Sequence, residues 1–187
     1  AGYRTICLHP FDRRFFRRDL VMPVLGFEIF LGCEALGGSR TPPYMSDPEF
    51  AQHILRVLDA EGARTFIFAI TMGNHGPWLR HPSELDGYLA GLRQSDEMLQ
   101  LLIEGLARRG DDPLLGFYGD HLPSLPRVFA ELGFDDWRSD YVIWSQGSTS
   151  HRRDLAVHEL GRLIIDLALS PWTEPARDAV VVEPHDA

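Results

Sequence analysis

The stretch from Thr65 to Thr71, Thr-Phe-Ile-Phe-Ala-Ile-Thr, is a nearly continuous apolar run of strand length. Such a run is typical of a strand buried on both faces, as in a parallel sheet that carries helices on either side. Three more short runs rich in β-branched and aromatic residues predict strands at residues 3–9, 114–118 and 141–144. Because parallel strands are joined by crossovers, the segments between these runs are expected to be helical.

Segments with helical periodicity lie between the predicted strands. The clearest helix begins at Ser46 or Asp47, either of which can cap it, has Pro48 in its first turn and continues to Gly62. The alternation of strands and helices predicts an α/β fold, a mostly parallel sheet with helices on both faces. We expect one domain over residues 1–170 and a polar tail over 171–187 that becomes apolar only at 180–182. Further helices are predicted at residues 12–25, 83–109, 128–132 and 155–169.

Charge and residue usage exclude several functions. The chain of 187 residues carries 27 acidic and 18 basic side chains, a formal charge of −9, so it lacks the broad basic field of a nucleic acid binder. All 18 basic residues are arginine, which excludes a lysine Schiff base and favours forked recognition of phosphate or carboxylate. No apolar run reaches the roughly 18 residues of a membrane span. Cys7 and Cys33 fit no zinc or redox spacing, and either pair or stay buried as thiols.

Polar side chains follow three of the predicted strands. In α/β sheets the carboxyl ends of the parallel strands form the binding edge. The sequence therefore predicts that three loops converge on one functional site. These clusters are His9 with Asp12, Asn74 with His75, and Asp120 with His121.

The adjacent Asp120 and His121 are candidate metal ligands, since a carboxylate beside an imidazole suits zinc or manganese. The glycine before them and the prolines after them indicate a rigid turn, which a metal ligand needs. Two donors do not complete a site, so His75 and His9 are expected to supply others. The alternative is that Asp120 caps a turn and His121 is a surface imidazole.

Arg18 and His75 are candidates for phosphate chemistry. Arg18 lies in a segment rich in arginine and phenylalanine, where its guanidinium can hold a phosphate oxygen in forked geometry. His75 lies on a turn between glycines, where its ring can face a substrate as a hydrogen-bond donor or general acid. The neighbouring Arg13, Arg14 and Arg17 are better explained as a solvated cationic face.

Four ordered segments, together covering about residues 2–146, resemble the sulfatase/alkaline-phosphatase superfamily, specifically its lipoteichoic acid synthase-like branch. An ordered set of four is far more specific than any one of them. The segments are Gly2-Tyr3-Arg4-Thr5 with His9 and Phe16-Arg17-Arg18-Asp19, residues 66–78 ending in Asn74-His75-Gly76-Pro77-Trp78, Tyr88-Leu89 with Asp96, and Phe117-Tyr118-Gly119-Asp120-His121.

The resemblance implies an alkaline-phosphatase-like fold, present here as a C-terminal portion, and a metal-dependent phosphoryl or sulfuryl transferase or hydrolase of cell-envelope polysaccharide or glycerophosphate polymer assembly. It implies that Asp120 and His121 bind a divalent metal, which is manganese, zinc, magnesium or calcium. It also implies that His75 contacts the transferred phosphate or its leaving group. A phospholipid- or glycan-linked phosphodiester would be the substrate, and the extracytoplasmic face of the bacterial membrane the location, with an anchor in upstream segments. The residues expected to hold the substrate head group are His9, Asp12 and Arg18.

The sequence departs from the branch at the expected substrate site. Phe16 stands where the branch has tryptophan, and Phe11 stands where it has aspartate. In the family the nucleophilic serine or threonine and the first acidic metal ligand precede the segment that opens this chain, so we expect the chain alone to be catalytically silent. A second hypothesis, which Phe11 and Phe16 slightly favour, is a degenerate non-catalytic domain of the same fold that binds a glycan or a protein.

Overall fold

The computed structural model describes residues 2–62, 64–78, 80–150, 152–169 and 178–179. The chain divides into two compact units. The first comprises residues 1–105 and 123–132, and the second comprises residues 106–122 and 133–187. Among the described residues, no helix combines the length and the apolar character that crossing a lipid bilayer requires.

A three-stranded parallel sheet forms the centre of the first unit. Its middle strand is β1 (Arg4–Leu8), which pairs with β2 (Ile29–Leu31) on one side and β3 (Thr65–Ala69) on the other. The apolar runs predict β1 and β3 correctly. They do not reveal β2, because three residues are too few to show a strand period.

Helices of the first unit surround this sheet. The predicted helix after Ser46 is confirmed: the Ser46 hydroxyl accepts from the Glu49 amide at 3.4 Å and caps it. The predicted helix over 12–25 is shorter than expected, because Phe16 and Arg17 adopt left-handed backbone conformations before it begins. The helices are α1 (Arg18–Val24), preceded by a 3₁₀ turn at Phe15–Arg17, α2 (Cys33–Leu36), α3 (Asp47–Glu61), α4 (Glu84–Arg109), which runs into the second unit, and α5 (Pro126–Leu132).

A buried cluster fixes α1 on the sheet. Met22 of α1 packs against Cys7 and Phe30, and Phe27, Phe68 and Ile70 extend the cluster. Of the two possibilities for the cysteines, the structure has both as free, buried thiols. Burial raises the pKa of the Cys7 thiol to about 11, although the charge of Arg18 acts in the opposite direction. Cys7 is therefore an apolar core residue here.

The second unit contains two strand pairs and a helix. The strands β4 (Leu114–Tyr118) and β5 (Tyr141–Ser145) pair antiparallel, and β6 (Thr149–Ser150) pairs in parallel with β7 (Asp178–Ala179). The helix α6 (Val157–Leu169) packs on β4, where Ile164 fills the space that a side chain at Gly116 would need.

The α/β class with a parallel sheet and flanking helices is confirmed. The β4–β5 pair adds an antiparallel element that apolar runs cannot show, because such runs carry no information on strand direction. The predicted division into residues 1–170 and a tail stays a prediction. Apart from residues 178–179, the tail, including its apolar positions 180–182, lies outside the described residues.

Candidate functional site

His9 follows β1 and has only 1% of its surface exposed. Its Nδ1 donates to the carbonyl of Ile70, just beyond β3, at 3.0 Å. Because a carbonyl can only accept, Nδ1 carries the proton and Nε2 holds the lone pair, which accepts from Nη1 of Arg18 at 2.9 Å. Burial lowers the pKa of His9, the Ile70 carbonyl opposes this shift, and the charge of Arg18 adds to it. The ring is therefore held neutral.

Arg18 is the first residue of α1, and its guanidinium is fixed from two sides. His9 lies on one side, and the ring centroids of Phe15 and Phe16 lie 5.6 and 5.5 Å from the guanidinium carbon, within cation–π range. A guanidinium has five N–H donors in a fork that matches phosphate oxygens. The structure thus joins two of the residues that the sequence singled out, His9 and Arg18.

The carboxylate of Asp12, in the loop that follows β1, contacts Arg14 and Arg40. Its Oδ1 accepts from the backbone amide of Arg14 at 2.9 Å, and its Oδ2 forms an ion pair with Nε of Arg40 at 3.2 Å. Arg40 also binds Glu34 at 2.7 Å. The contacts of this carboxylate therefore order the loop that follows β1, and its role at a substrate stays a prediction.

His75 lies in the loop that follows β3. Its Nδ1 donates to the carbonyl of Gly76 at 2.7 Å, so Nε2 holds the lone pair, as in His9. Its ring meets Tyr44 edge-on at a centroid distance of 5.9 Å. Tyr44 in turn contacts Phe11 at 5.8 Å, and Phe11 contacts His9 at 6.0 Å. A continuous row of rings therefore links the two histidines within the first unit.

Asp47 is a positioning residue that the sequence did not reveal. Only 1% of its surface is exposed, and its carboxylate accepts from the Gly73 amide at 3.2 Å and the Ser95 hydroxyl at 2.6 Å. These bonds fix the start of the His75 loop to α3 and α4. Burial raises the pKa of Asp47, against the effect of both hydrogen bonds. The sequence does not reveal these contacts, because an aspartate at the start of a helix is explained equally well as a cap.

Small residues at four-residue intervals on α4 make room for the same loop. A side chain at Gly91 would overlap the side chain of Asn74, and one at Gly87 would overlap Trp78. Asn74 Oδ1 accepts from Trp78 Nε1 at 3.3 Å, which joins the two ends of the loop. The spacing of Gly87, Gly91 and Ser95 is the sequence signal that could have located this packing surface.

Asp120 and His121 follow β4 in the second unit, with 76% and 71% of their side chains exposed. The turn before them is held by the segment that precedes β5, since the Ser139 hydroxyl donates to the Gly119 carbonyl at 2.6 Å. His121 Nδ1 donates to the carbonyl of Leu122 at 2.8 Å, so its Nε2 holds the lone pair, 3.7 Å from Asp120 Oδ2.

This pair fits part of a divalent metal site. Bonds from zinc to nitrogen or oxygen are about 2.0–2.2 Å, so donors up to about 4 Å apart can share one ion. A histidine whose other ring nitrogen is fixed by a carbonyl is also the usual metal-binding form. In the part of the chain that the structure describes, no group of three or more histidine, cysteine, aspartate or glutamate side chains is assembled to hold a metal. The pair alone therefore offers two donor atoms, a carboxylate oxygen and an imidazole nitrogen.

These residues lie in an α/β fold, in which His9, His75 and the pair Asp120 and His121 each lie in a segment that follows a strand. Residues 1–168 match the sequence profile of the Sulfatase family. The match spans most of the chain, and the protein belongs to the Sulfatase family.

Individual relatives agree with this assignment. The chain is 41% identical over 154 residues to the capsular polysaccharide biosynthesis protein RkpI of Rhizobium meliloti (strain 1021), covering 76% of this chain. It superposes with a TM-score of 0.64 and 28% identity on Streptococcus pyogenes phosphoglycerol transferase GacH, solved with sn-glycerol-1-phosphate, over 79% of this chain. The lipoteichoic acid synthase LtaP of Listeria monocytogenes shares the fold, with a TM-score of 0.61 and 22% identity over 75% of this chain.

The relatives are much longer than the matched region. The chain spans 28% of RkpI, 44% of the GacH chain and 43% of the LtaP chain. What the comparisons support is thus a sulfatase-like domain related to envelope polysaccharide biosynthesis proteins and phosphoglycerol transferases.

Proposed function

We propose that this chain forms part of a metal-dependent phosphoryl transfer enzyme that builds or modifies cell-envelope polysaccharide. Its substrate would be a phosphoglycerol or glycan-linked phosphodiester, taken at the extracytoplasmic face of the membrane. The substrate class is supported by the relatives, one of which is a phosphoglycerol transferase solved with sn-glycerol-1-phosphate and another a capsular polysaccharide biosynthesis protein. Family membership supports the reaction class.

The observation that carries the proposal is the bond between His9 and Arg18. The buried, neutral His9 accepts from one N–H of Arg18 and thereby orients the guanidinium before any ligand arrives. A pre-oriented fork of N–H donors stabilises the charge on phosphate oxygens without reorganisation during the reaction. In this role Arg18 contacts the phosphate and His9 is a positioning residue.

His75 would act at the leaving oxygen. With Nδ1 bound to the Gly76 carbonyl, its Nε2 accepts a proton when neutral and donates one when charged. The bonds of Asp47 to Gly73 and Ser95 fix the loop on which this ring lies. A general acid must be within hydrogen-bond reach of the proton's destination, so a fixed loop is a requirement of this role.

Asp120 and His121 would hold the divalent cation through Oδ2 and Nε2. A bound divalent ion would supply Lewis acidity toward a phosphoryl oxygen. Asp120 would contribute the charge and His121 a neutral nitrogen donor, a mixed set that suits several ions, among them manganese, zinc and magnesium.

The test compares R18Q with R56Q, a substitution of an exposed arginine on α3. Both are made in the longest reading frame that contains this chain. Because hydrogen bonds to charged groups contribute about 1.5–3 kcal/mol, R18Q is expected to weaken sn-glycerol-1-phosphate binding about 10- to 100-fold. R56Q should bind like the wild type. Equal affinity of R18Q and wild type in calorimetric titration would contradict the proposal.

A turnover assay distinguishes the proposed enzyme from the second hypothesis, a non-catalytic domain that binds a glycan or a protein. The same proteins are assayed with an aryl phosphodiester and an aryl sulfate in the presence of manganese. Hydrolysis of the phosphodiester supports the proposal. Hydrolysis of the aryl sulfate alone would show that the enzyme transfers sulfuryl rather than phosphoryl groups. Glycan binding without turnover of either compound and without cation uptake would identify a non-catalytic binding domain.

A further inference from the structure

Exposed apolar side chains are concentrated in one short segment of the first unit. Of the sixteen large hydrophobic side chains that are exposed among the described residues, six fall between residues 15 and 25. We call this segment, with its arginines, the apolar–arginine patch. Its apolar members are Phe15, Phe16, Leu20, Val21, Val24 and Leu25, and its exposed arginines are Arg13, Arg14 and Arg17.

The helix α1 explains why this surface is continuous. Met22 is 6% exposed and anchors the inner side of α1 in the core. Leu20, Val21 and Val24 lie on the outer side, where together with Phe16 they line a shallow groove. Val24 is 86% exposed and Phe16 is 74% exposed. Single exposed hydrophobic residues are ordinary, but a contiguous group of them marks an interaction surface.

The backbone before α1 holds this surface in a costly conformation. Phe16 and Arg17 have φ of 51° and 54°, in the left-handed region that bulky residues avoid. Each such residue costs about 1–3 kcal/mol, and such strain concentrates at functional positions. Here the strained turn directs an aromatic ring and a guanidinium outward next to α1.

The charge of the patch identifies its partner. Arg14 and Arg17 are exposed beside the apolar side chains, although the whole chain has a formal charge of −9. At physiological salt, charges farther away than about 8 Å are screened, so the local arginines decide what approaches this surface. Apolar groups flanked by cations are the chemistry that binds an anionic lipid interface.

We propose that the apolar–arginine patch docks the domain on an anionic phospholipid bilayer. Val24 and Leu25 enter the boundary between head groups and acyl chains, and the arginines bind lipid phosphates. This binding requires neither metal nor turnover, so it goes beyond the proposed function and is tested separately. Arg18, at the start of α1, would then lie at the membrane surface, within reach of a lipid-linked phosphodiester.

The experiment is flotation of the 187-residue chain with vesicles in the presence of EDTA. Vesicles of phosphatidylcholine alone are compared with an equimolar mixture of phosphatidylcholine and phosphatidylserine, an anionic lipid without the phosphoglycerol head group of the proposed substrate. The chain is expected to float with the anionic vesicles only. V24S should weaken this binding about tenfold through lost apolar insertion, and R14Q about fivefold through lost attraction to lipid phosphate.

Matched controls separate the patch from general surface effects. V157S replaces a valine that is 73% exposed in the second unit, and R56Q replaces an exposed arginine of α3. Both should float like the wild type. Absence of binding to anionic vesicles, or equal losses in V24S and V157S, would overturn the proposal. It would also be overturned if the chain formed oligomers that V24S dissociates while no vesicle binding is detected, since a second copy of the chain would then cover the patch.

Discussion

The carboxylate of Asp47 connects the first turn of α3 to the amide of Gly73, at 3.2 Å, in the loop that carries His75. The same carboxylate accepts from Ser95 on α4 at 2.6 Å. One buried side chain thus fixes three segments that are distant in the sequence. The His75 loop therefore depends on a buried carboxylate at the start of α3.

Removing the Asp47 carboxylate is expected to destabilise the fold. D47A leaves the Gly73 amide and the Ser95 hydroxyl without their buried acceptor, at a cost of about 1–3 kcal/mol. D47N keeps the side-chain shape and an acceptor oxygen, so its loss should be much smaller. Urea denaturation of the three proteins measures these differences. Equal midpoints for wild type and D47A would show that the carboxylate does not hold the loop.

The difference in unfolding free energy between D47N and wild type should change with pH in a definite direction. Burial raises the pKa of Asp47 above its ordinary value of 3.8, so the folded state resists ionisation more than the unfolded state does. Its contribution to stability is complete at low pH and is lost as pH rises through the raised pKa. The unfolding free energy of D47N relative to wild type should therefore increase from pH 3.8 upward.

The ring of His9 should titrate below its ordinary pKa. Burial is the main cause and the charge of Arg18 contributes, so R18Q is expected to raise the pKa of His9 only part of the way toward 6.5. NMR titration of the histidine ring protons in wild type and R18Q measures both values. An unchanged His9 pKa in R18Q would contradict the contact between the two side chains.

Stability should follow the titration of His9. Because its folded pKa is lowered, the neutral form stabilises the fold above the ordinary value of 6.5, and this contribution is lost as pH falls through the folded pKa. H9N removes the titrating group, so the difference in unfolding free energy between wild type and H9N should shrink as pH falls below 6.5.

Two helical glycines should respond in opposite ways to the same substitution. G91A forces the side chain of Asn74 out of its place, which is expected to cost about 1–3 kcal/mol. At Gly161 on α6 an added methyl group meets nothing within 4 Å, so G161A should gain about 0.5–1 kcal/mol of helix propensity. Thermal unfolding compares them, and stabilisation by G91A would show that the loop does not pack on α4 as described.

Much of this fold is predictable from local pattern, because β1, β3, α3 and α4 each have a complete apolar period or a cap. The strand β2 is too short to show one, and the antiparallel pairing of β4 with β5 depends on contacts between distant segments. The candidate site divides in the same way. Position after a strand predicts His9 and an arginine-rich segment predicts Arg18, and the structure shows these two side chains in contact. The buried contacts of Asp47, in contrast, depend on the packing of α3 against the Gly73 loop.

The last prediction concerns the proposed cation. In the longest reading frame that contains this chain, H121A removes the Nε2 donor that lies 3.7 Å from Asp120 Oδ2, so manganese affinity in calorimetric titration should fall by at least about tenfold. H158A, a substitution of an exposed histidine on α6, serves as the matched control and should bind manganese like the wild type. If H121A and H158A bind manganese equally, the role proposed for His121 is wrong.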